Sequence, residues 1–298
     1  MTQPIILLDL FANQDLACGE GPVWDPRQQV LYWTDALGEA VYSKTPYEDQ
    51  FSVFHSGVQV SALALHENGL VLAGKNGLSV LDNGTIRRIA THAGEIVVNN
   101  LNEVIADPRG RVFTGQEAFT EEGPYEPGYV FRADPDGSVT VVEEGIHLSN
   151  GMGFSPDETT FYLTDTILRT IYAYDYDIDT GRISNRRPLI RLKREDGLPD
   201  GMTVDRDGNI WVAHWFGGRI TCFNPDGDHL FSNFLPAAQV SSLAFGGTDM
   251  TDLFVTTAAL QWESPLAPAD HNFRSPRGGS VYLFHGIGKG KPEYLASI

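Results

Sequence analysis

The sequence predicts an all-β fold, a six-bladed β-propeller with a central metal-binding channel. Three observations carry this expectation. A short motif of small and apolar residues recurs six times along the 298 residues. Each copy continues through a turn into a second apolar run. The composition, with 31 Gly, 17 Pro and 42% hydrophobic residues, supplies many turns and short elements rather than long helices.

The six copies start at Glu20, Ser61, Asn102, Asn150, Asp200 and Ser241, at spacings of 41 to 50 residues, the length of one four-stranded blade. Typical of them are Glu20-Gly21-Pro22-Val23-Trp24-Asp25 and Asp200-Gly201-Met202-Thr203-Val204-Asp205. The second runs are 30–33, 70–73, 111–114, 160–163, 209–212 and 252–255. Turns such as Asp107-Pro108-Arg109-Gly110 and Asp205-Arg206-Asp207-Gly208 place Pro or Asp early and Gly late, as hairpins require. Third and fourth strands follow, as in 128–132 and 138–142 about the turn Asp134-Pro135-Asp136-Gly137. A propeller closes such repeats and leaves only short sheet edges.

The ends complete the ring. The first ten residues hold one short apolar run without a basic stretch, which reads as a strand and not a signal peptide. A strand over about Ile5 to Phe11 is expected to pair with Gly279 to Phe284, making residues 1–298 one propeller domain. The Pro- and Ser-rich segment 259–278 is a loop within the last blade, long enough to suggest a flap or an oligomer contact.

A net charge of −18 with only 21 Lys and Arg excludes a nucleic-acid partner, which needs a clustered basic surface. No stretch approaches a membrane span. Two distant cysteines, Cys18 and Cys222, form neither a disulfide framework nor a thiolate metal site, pointing to a reducing, cytoplasmic setting. A monomer or weak homo-oligomer is expected.

In a propeller the inner strands surround the channel and their starting ends share one face. Glu20, Ser61, Asn102, Asn150, Asp200 and Ser241 then form a ring in which every member carries a side-chain oxygen. Singly, each is equally well a turn residue. Together they bring two carboxylates to one axis, where they repel unless a hard divalent cation lies between them. The second strands return to the same face, setting Asp35, Gln116, Glu117, Asp165, His214 and Trp215 near the mouth; His147 reads as an exposed loop histidine. No Gly-x-Ser-x-Gly nucleophile motif or glycine-rich phosphate loop is present.

Over nearly its whole length the chain resembles the family of senescence marker protein (regucalcin), gluconolactonase and luciferin-regenerating enzyme. The matching segments are Cys18-Gly19-Glu20-Gly21-Pro22-Val23-Trp24, Leu148-Ser149-Asn150-Gly151-Met152, Leu198-Pro199-Asp200-Gly201-Met202 and Ala244-Phe245-Gly246-Gly247. The resemblance implies a six-bladed propeller with one divalent cation held by Glu20, Asn150 and Asp200. Calcium comes first, with magnesium, manganese, zinc or iron(II) also compatible. It further implies a metal-dependent hydrolase opening a lactone of a small hydroxylated or sugar acid, with Asp200 catalytic and Asn100, Asn102, Glu117 and Trp215 toward the substrate. The alternatives are an esterase or phosphotriesterase of the same fold and a ligand-binding propeller without activity. One departure bears on substrate: where many family lactonases carry Arg-x-Asn-Asp, this chain has Asn100-Leu101-Asn102-Glu103, losing a guanidinium that would hold an anionic or polyhydroxylated ligand.

Overall fold

The computed structural model describes residues 7–117, 127–260, 263–274 and 276–298. It contains six four-stranded antiparallel sheets, the blades, here numbered in chain order. From the axis outward, blade 1 runs Gly19–Asp25, Val30–Asp35, Ala40–Lys44 and Ser52–Ser56. Blades 2 to 5 follow the same order, with inner strands Ala62–His66, Leu101–Ala106, Ser149–Phe154 and Leu198–Val204. Blade 6 is composite. Gln239–Gly246, Asp252–Ala258 and Val281–Phe284 come from the C-terminal part, and Leu8–Ala12 adds the outermost strand, pairing Leu8 with Phe284. Each inner strand lies against the next, and that of blade 6 against blade 1, so the ring closes. Among the described residues no helix is long and apolar enough to cross a membrane.

The inner strands of blades 4 to 6 are buried throughout, which is why they read as apolar runs without alternation. Between blades the gaps are filled by large side chains, with Trp24 stacked on Phe254 and Trp211 edge-on to Phe245. Near the axis the blades are too close for large residues. A Cβ on Gly151 would lie 2.3 Å from the backbone nitrogen of Met202, and one on Gly201 would lie 2.1 Å from Ser242 Oγ. Asn150-Gly151 and Asp200-Gly201 are therefore close-approach sites inside strands, not the turns their composition suggests.

The hairpin register slips at one equivalent place in five blades: between Glu20 and Val23, Leu101 and Glu103, Asn150 and Met152, Pro199 and Met202, and Val240 and Ser242. Blade 2 pairs without a shift from Ala62 to His66. A bulge bends a strand and re-aims its side chains. In five blades the residue at the motif start thus lies at a bulge.

The two ends of the channel differ. The C-terminal segment crosses the far end, with Gly290 N–H on Met250 O (2.7 Å), Ala296 N–H on Leu65 O (2.8 Å) and Ser297 N–H on Gly110 O (2.9 Å). Glu293 and Tyr294 of that segment, with Glu103 and Thr203, enclose an inner space of about 50 Å³. The other end opens into a cavity of about 710 Å³.

Candidate functional site

The large cavity lies over the starting ends of the inner strands. Glu20, Asn100, Asn102, Glu117, Asn150, Asp200 and Trp215 all line it, as does Ser61. Ser241 is not among the lining residues; its hydroxyl donates to Gly19 O at 2.5 Å, joining blade 6 to blade 1, and lies 3.0 Å from Thr256 Oγ1. The expected ring of six oxygens is therefore open at blade 6.

Asp200 and Asn150 are 5% and 6% exposed, and Asn150 Nδ2 donates to Asp200 Oδ1. Asn150 Oδ1 accepts from Gly151 N–H at 3.1 Å, and Glu20 Oε2 accepts from Gly21 N–H at 3.0 Å. Asn102 donates to Ser149 O at 2.9 Å, tying blade 3 to blade 4 beside Asn150. Asn100 has a left-handed backbone, φ +47°, and its carbonyl accepts from Glu117 N–H at 2.8 Å. Those two residues thus form one stretch of the rim, with Lys75 next to them through Asn100 N–H on Lys75 O, 3.1 Å.

The electrostatics are one-sided. Burial pushes the Asp200 carboxyl well up; the Asn150 amide opposes this, while Glu103 and Glu117 add to it. Burial, then Asp200 and Glu103, raise Glu20 against the Gly21 hydrogen bond. Deeper in the channel, burial and Glu293 carry Glu103 to about 7 despite a hydrogen bond from Val104 N–H. Glu117 stands at the open rim with solvent contact and is raised in the same sense by the protein around it. The Cys18 thiol is held well above its usual value by burial and by Glu20 and Asp200. Among the described residues none of Glu20, Glu103, Glu117 and Asp200 is in an ion pair.

Buried carboxylates without basic partners either hold protons or hold a cation. No group of three or more His, Cys, Asp or Glu suited to a metal is found among the described residues. The set here is two carboxylates and an amide, and such all-oxygen donors suit a hard divalent ion.

Several residues expected at the mouth are engaged elsewhere. Asp35 accepts from the N–H groups of Ala17 (3.1 Å) and Cys18 (2.9 Å), shaping the approach to Glu20. Gln116 bonds the backbone around Asn99. Asp165 is buried and holds His147 Nδ1 at 3.1 Å, so His147 is a partly buried, anchored side chain rather than an exposed one. His214 is 1% exposed, its Nδ1 2.9 Å from Asp196 O, and burial lowers it to about 4. Sequence reasoning missed Lys75, the one cation among the lining residues, and Gln59. Lys75 follows the second strand of blade 2 as Glu117 follows that of blade 3, so the rule that found Glu117 reaches it too. It also missed the part of segment 259–278 in the wall, namely Leu260, Ser264 and Leu266, which no repeat could place.

A family description, the SMP-30/Gluconolactonase/LRE-like region, matches residues 18–259. The chain belongs to the SMP-30/gluconolactonase/LRE-like family. Pentonolactonase XacC of Haloferax volcanii is 36% identical over 295 residues, covering 95% of this chain and 97% of the relative. Regucalcin of Gallus gallus is 32% identical over 302 residues, covering 97% and 98%. Among solved structures, a luciferin-regenerating enzyme superposes with a TM-score of 0.87 at 28% identity, over 98% of this chain and 100% of that one. Family membership spans all six motif starts and stops short of the last-blade strand and the C-terminal segment that closes the channel.

Proposed function

We propose that the protein is a divalent-metal-dependent lactonase, opening the cyclic ester of a small hydroxylated or sugar acid. The observation that carries this reading is the uncompensated pair Glu20 and Asp200, flanked by Asn150, in one cavity. The names pentonolactonase and gluconolactonase among its relatives support it.

Glu20, Asn150 and Asp200 would hold the cation, calcium first. Once bound, it supplies Lewis acidity to the lactone carbonyl and offsets the negative charge that develops there. Asp200 positions the attacking water and takes up its proton as the new C–O bond forms. The ring C–O bond then breaks and its oxygen regains a proton, so one water is consumed per hydroxy acid formed. Asn102 and Glu117 offer a donor and an acceptor to substrate hydroxyls, and Asn100 and Trp215 line the same cavity.

Acid release measured with a pH indicator over sugar lactones, alkyl lactones and aryl esters, with and without chelator, tests the proposal. The expected result is hydrolysis of lactones that chelation abolishes and added calcium restores. Turnover indifferent to chelation, or no acid release from any lactone, overturns it.

A further inference from the structure

The cavity is divided. Blades 2 and 3 present a polar side, including Gln59, Lys75, Asn100 and Asn102. Blades 4 to 6 contribute most of the large apolar lining, Ile167, Leu198, Trp215, Phe216, Leu260 and Leu266, beside the polar Asn150, Thr166, Asp200 and Ser264, while Leu37 and Leu101 are apolar residues of blades 1 and 3. A volume of about 710 Å³ lies in the range that encloses drug-sized ligands, and a free pentose or hexose lactone fills only a fraction of it.

The apolar side is built rather than incidental. Phe216 sits at φ +65°, a conformation that strains a bulky residue, and its N–H donates to Gln239 Oε1 at 2.7 Å. Its ring meets His271 edge-on at 4.8 Å and Phe273 at 6.3 Å, which fastens the last-blade loop to blade 5. Two guanidinium groups hold the same loop by its carbonyls: Arg169 Nη2 on Leu266 O at 2.6 Å, and Arg194 on Ala267 O at 3.0 Å and Pro265 O at 2.8 Å. These contacts fix Leu266 in the cavity wall.

We infer that the substrate is amphiphilic: a lactone whose polar ring substituents face blades 2 and 3 and whose alkyl or aryl substituent lies on the wall made by blades 4 to 6. This rests on the lactonase reading and names the class of lactone. The substituent removes apolar wall from water, so binding strengthens with its length until the wall is covered.

The test uses the full chain with calcium and a series of lactones of one ring size bearing substituents from hydrogen to hexyl, together with the matching non-hydrolysable lactams. Expected is a rise in kcat/KM of about threefold for each added methylene over the first few carbons, with lactam affinity measured by calorimetry rising in parallel. In Leu266→Ser the preference for the hexyl over the unsubstituted lactone falls about tenfold. Lactam affinities and kcat/KM that stay flat or fall with chain length overturn the inference while leaving lactone hydrolysis intact. Absence of acid release from every lactone overturns the lactonase reading instead.

Discussion

The two ends of the inner strands carry the same kind of residue and treat it in opposite ways. At the closed end Asp25, Asp107 and Asp205 are each buried and each surrounded by donors. Asp107 receives Arg109 N–H (2.8 Å), Arg111 N–H (3.0 Å), Tyr176 O–H (2.7 Å) and the Arg111 guanidinium (2.5 Å). Asp205 receives Asp207 N–H, Asn209 N–H, the Asn209 amide and Trp211 Nε1–H, the last at 2.9 Å. Burial alone would raise Asp25, yet the hydrogen bonds from Arg27 and Gln28 outweigh it and hold its carboxyl below the usual range. Five residues earlier on the strands, Glu20 and Asp200 each receive a single donor, Gly21 N–H and the Asn150 amide, and burial and neighbouring carboxylates outweigh it and push them up. The difference separates a carboxylate satisfied by its own turn from one left short of donors, as the proposed cation site requires, although both occupy the same repeat.

Breaking the open end should cost function and not fold. Asp200→Ala is expected to lower kcat/KM by about a thousandfold or more, consistent with a loss of several kcal/mol of charge stabilisation, and to weaken calcium binding in calorimetry. Its metal-free thermal midpoint should hold or rise, because one of the repelling carboxylates is gone. Full lactonase turnover in that variant removes Asp200 from the site. Breaking the closed end should do the reverse. Asp205→Ala leaves several buried donors unpaired and is expected to destabilise the fold by about 3 kcal/mol in urea unfolding. Calcium affinity of its folded fraction should match the parent, and a matching loss of affinity would erase the contrast.

How much of this was legible depends on what the repeat encodes. Six motif starts and six second runs sufficed for the propeller, because blade spacing and apolar runs are local signals. The repeat placed Glu20, Asn150 and Asp200 among six equivalent positions, and the family resemblance singled these three out as the candidate cation ligands. The bulges at these positions were not legible, since a register slip shows only when two strands are paired. Ser241 shows the cost: it has the right phase, but its hydroxyl is spent on Gly19 of the neighbouring blade. The C-terminal segment and the Leu266 wall lie outside the repeat and make long-range contacts no pattern announces. Asp165 and His147 were read singly, as mouth and loop residues, and the structure makes them partners.

The unpartnered end should also set the pH response of the metal-free protein. Glu103 is carried from about 4.5 unfolded to about 7 folded, so between these values the unfolded chain releases its proton first. The associated stability is full below about 4.5 and is lost as pH rises through 7; Glu20 and Asp200, also raised, act in the same direction. Chemical unfolding of chelated protein from pH 5 to pH 8 should therefore show declining stability, and Glu103→Gln should recover about 1 to 2 kcal/mol at pH 8. Rising stability across that interval would mean that the channel carboxylates are paired after all.

The smallest effect should come from the loop that completes the cavity wall. Arg194 is exposed, and its two hydrogen bonds to Ala267 O and Pro265 O are anchors for a segment rather than parts of the ring. Exposed hydrogen bonds of this kind contribute about 1 kcal/mol or less to global stability. Arg194→Ala should accordingly leave the thermal midpoint nearly unchanged, while Arg169 and the Phe216, His271 and Phe273 contacts keep the loop docked in part. What should move is local opening: faster amide exchange over 263–274 and a KM raised about twofold to fivefold with kcat retained. An equal fall in kcat would show instead that the loop orders the carboxylate end itself, and the two regions could no longer be treated as separate.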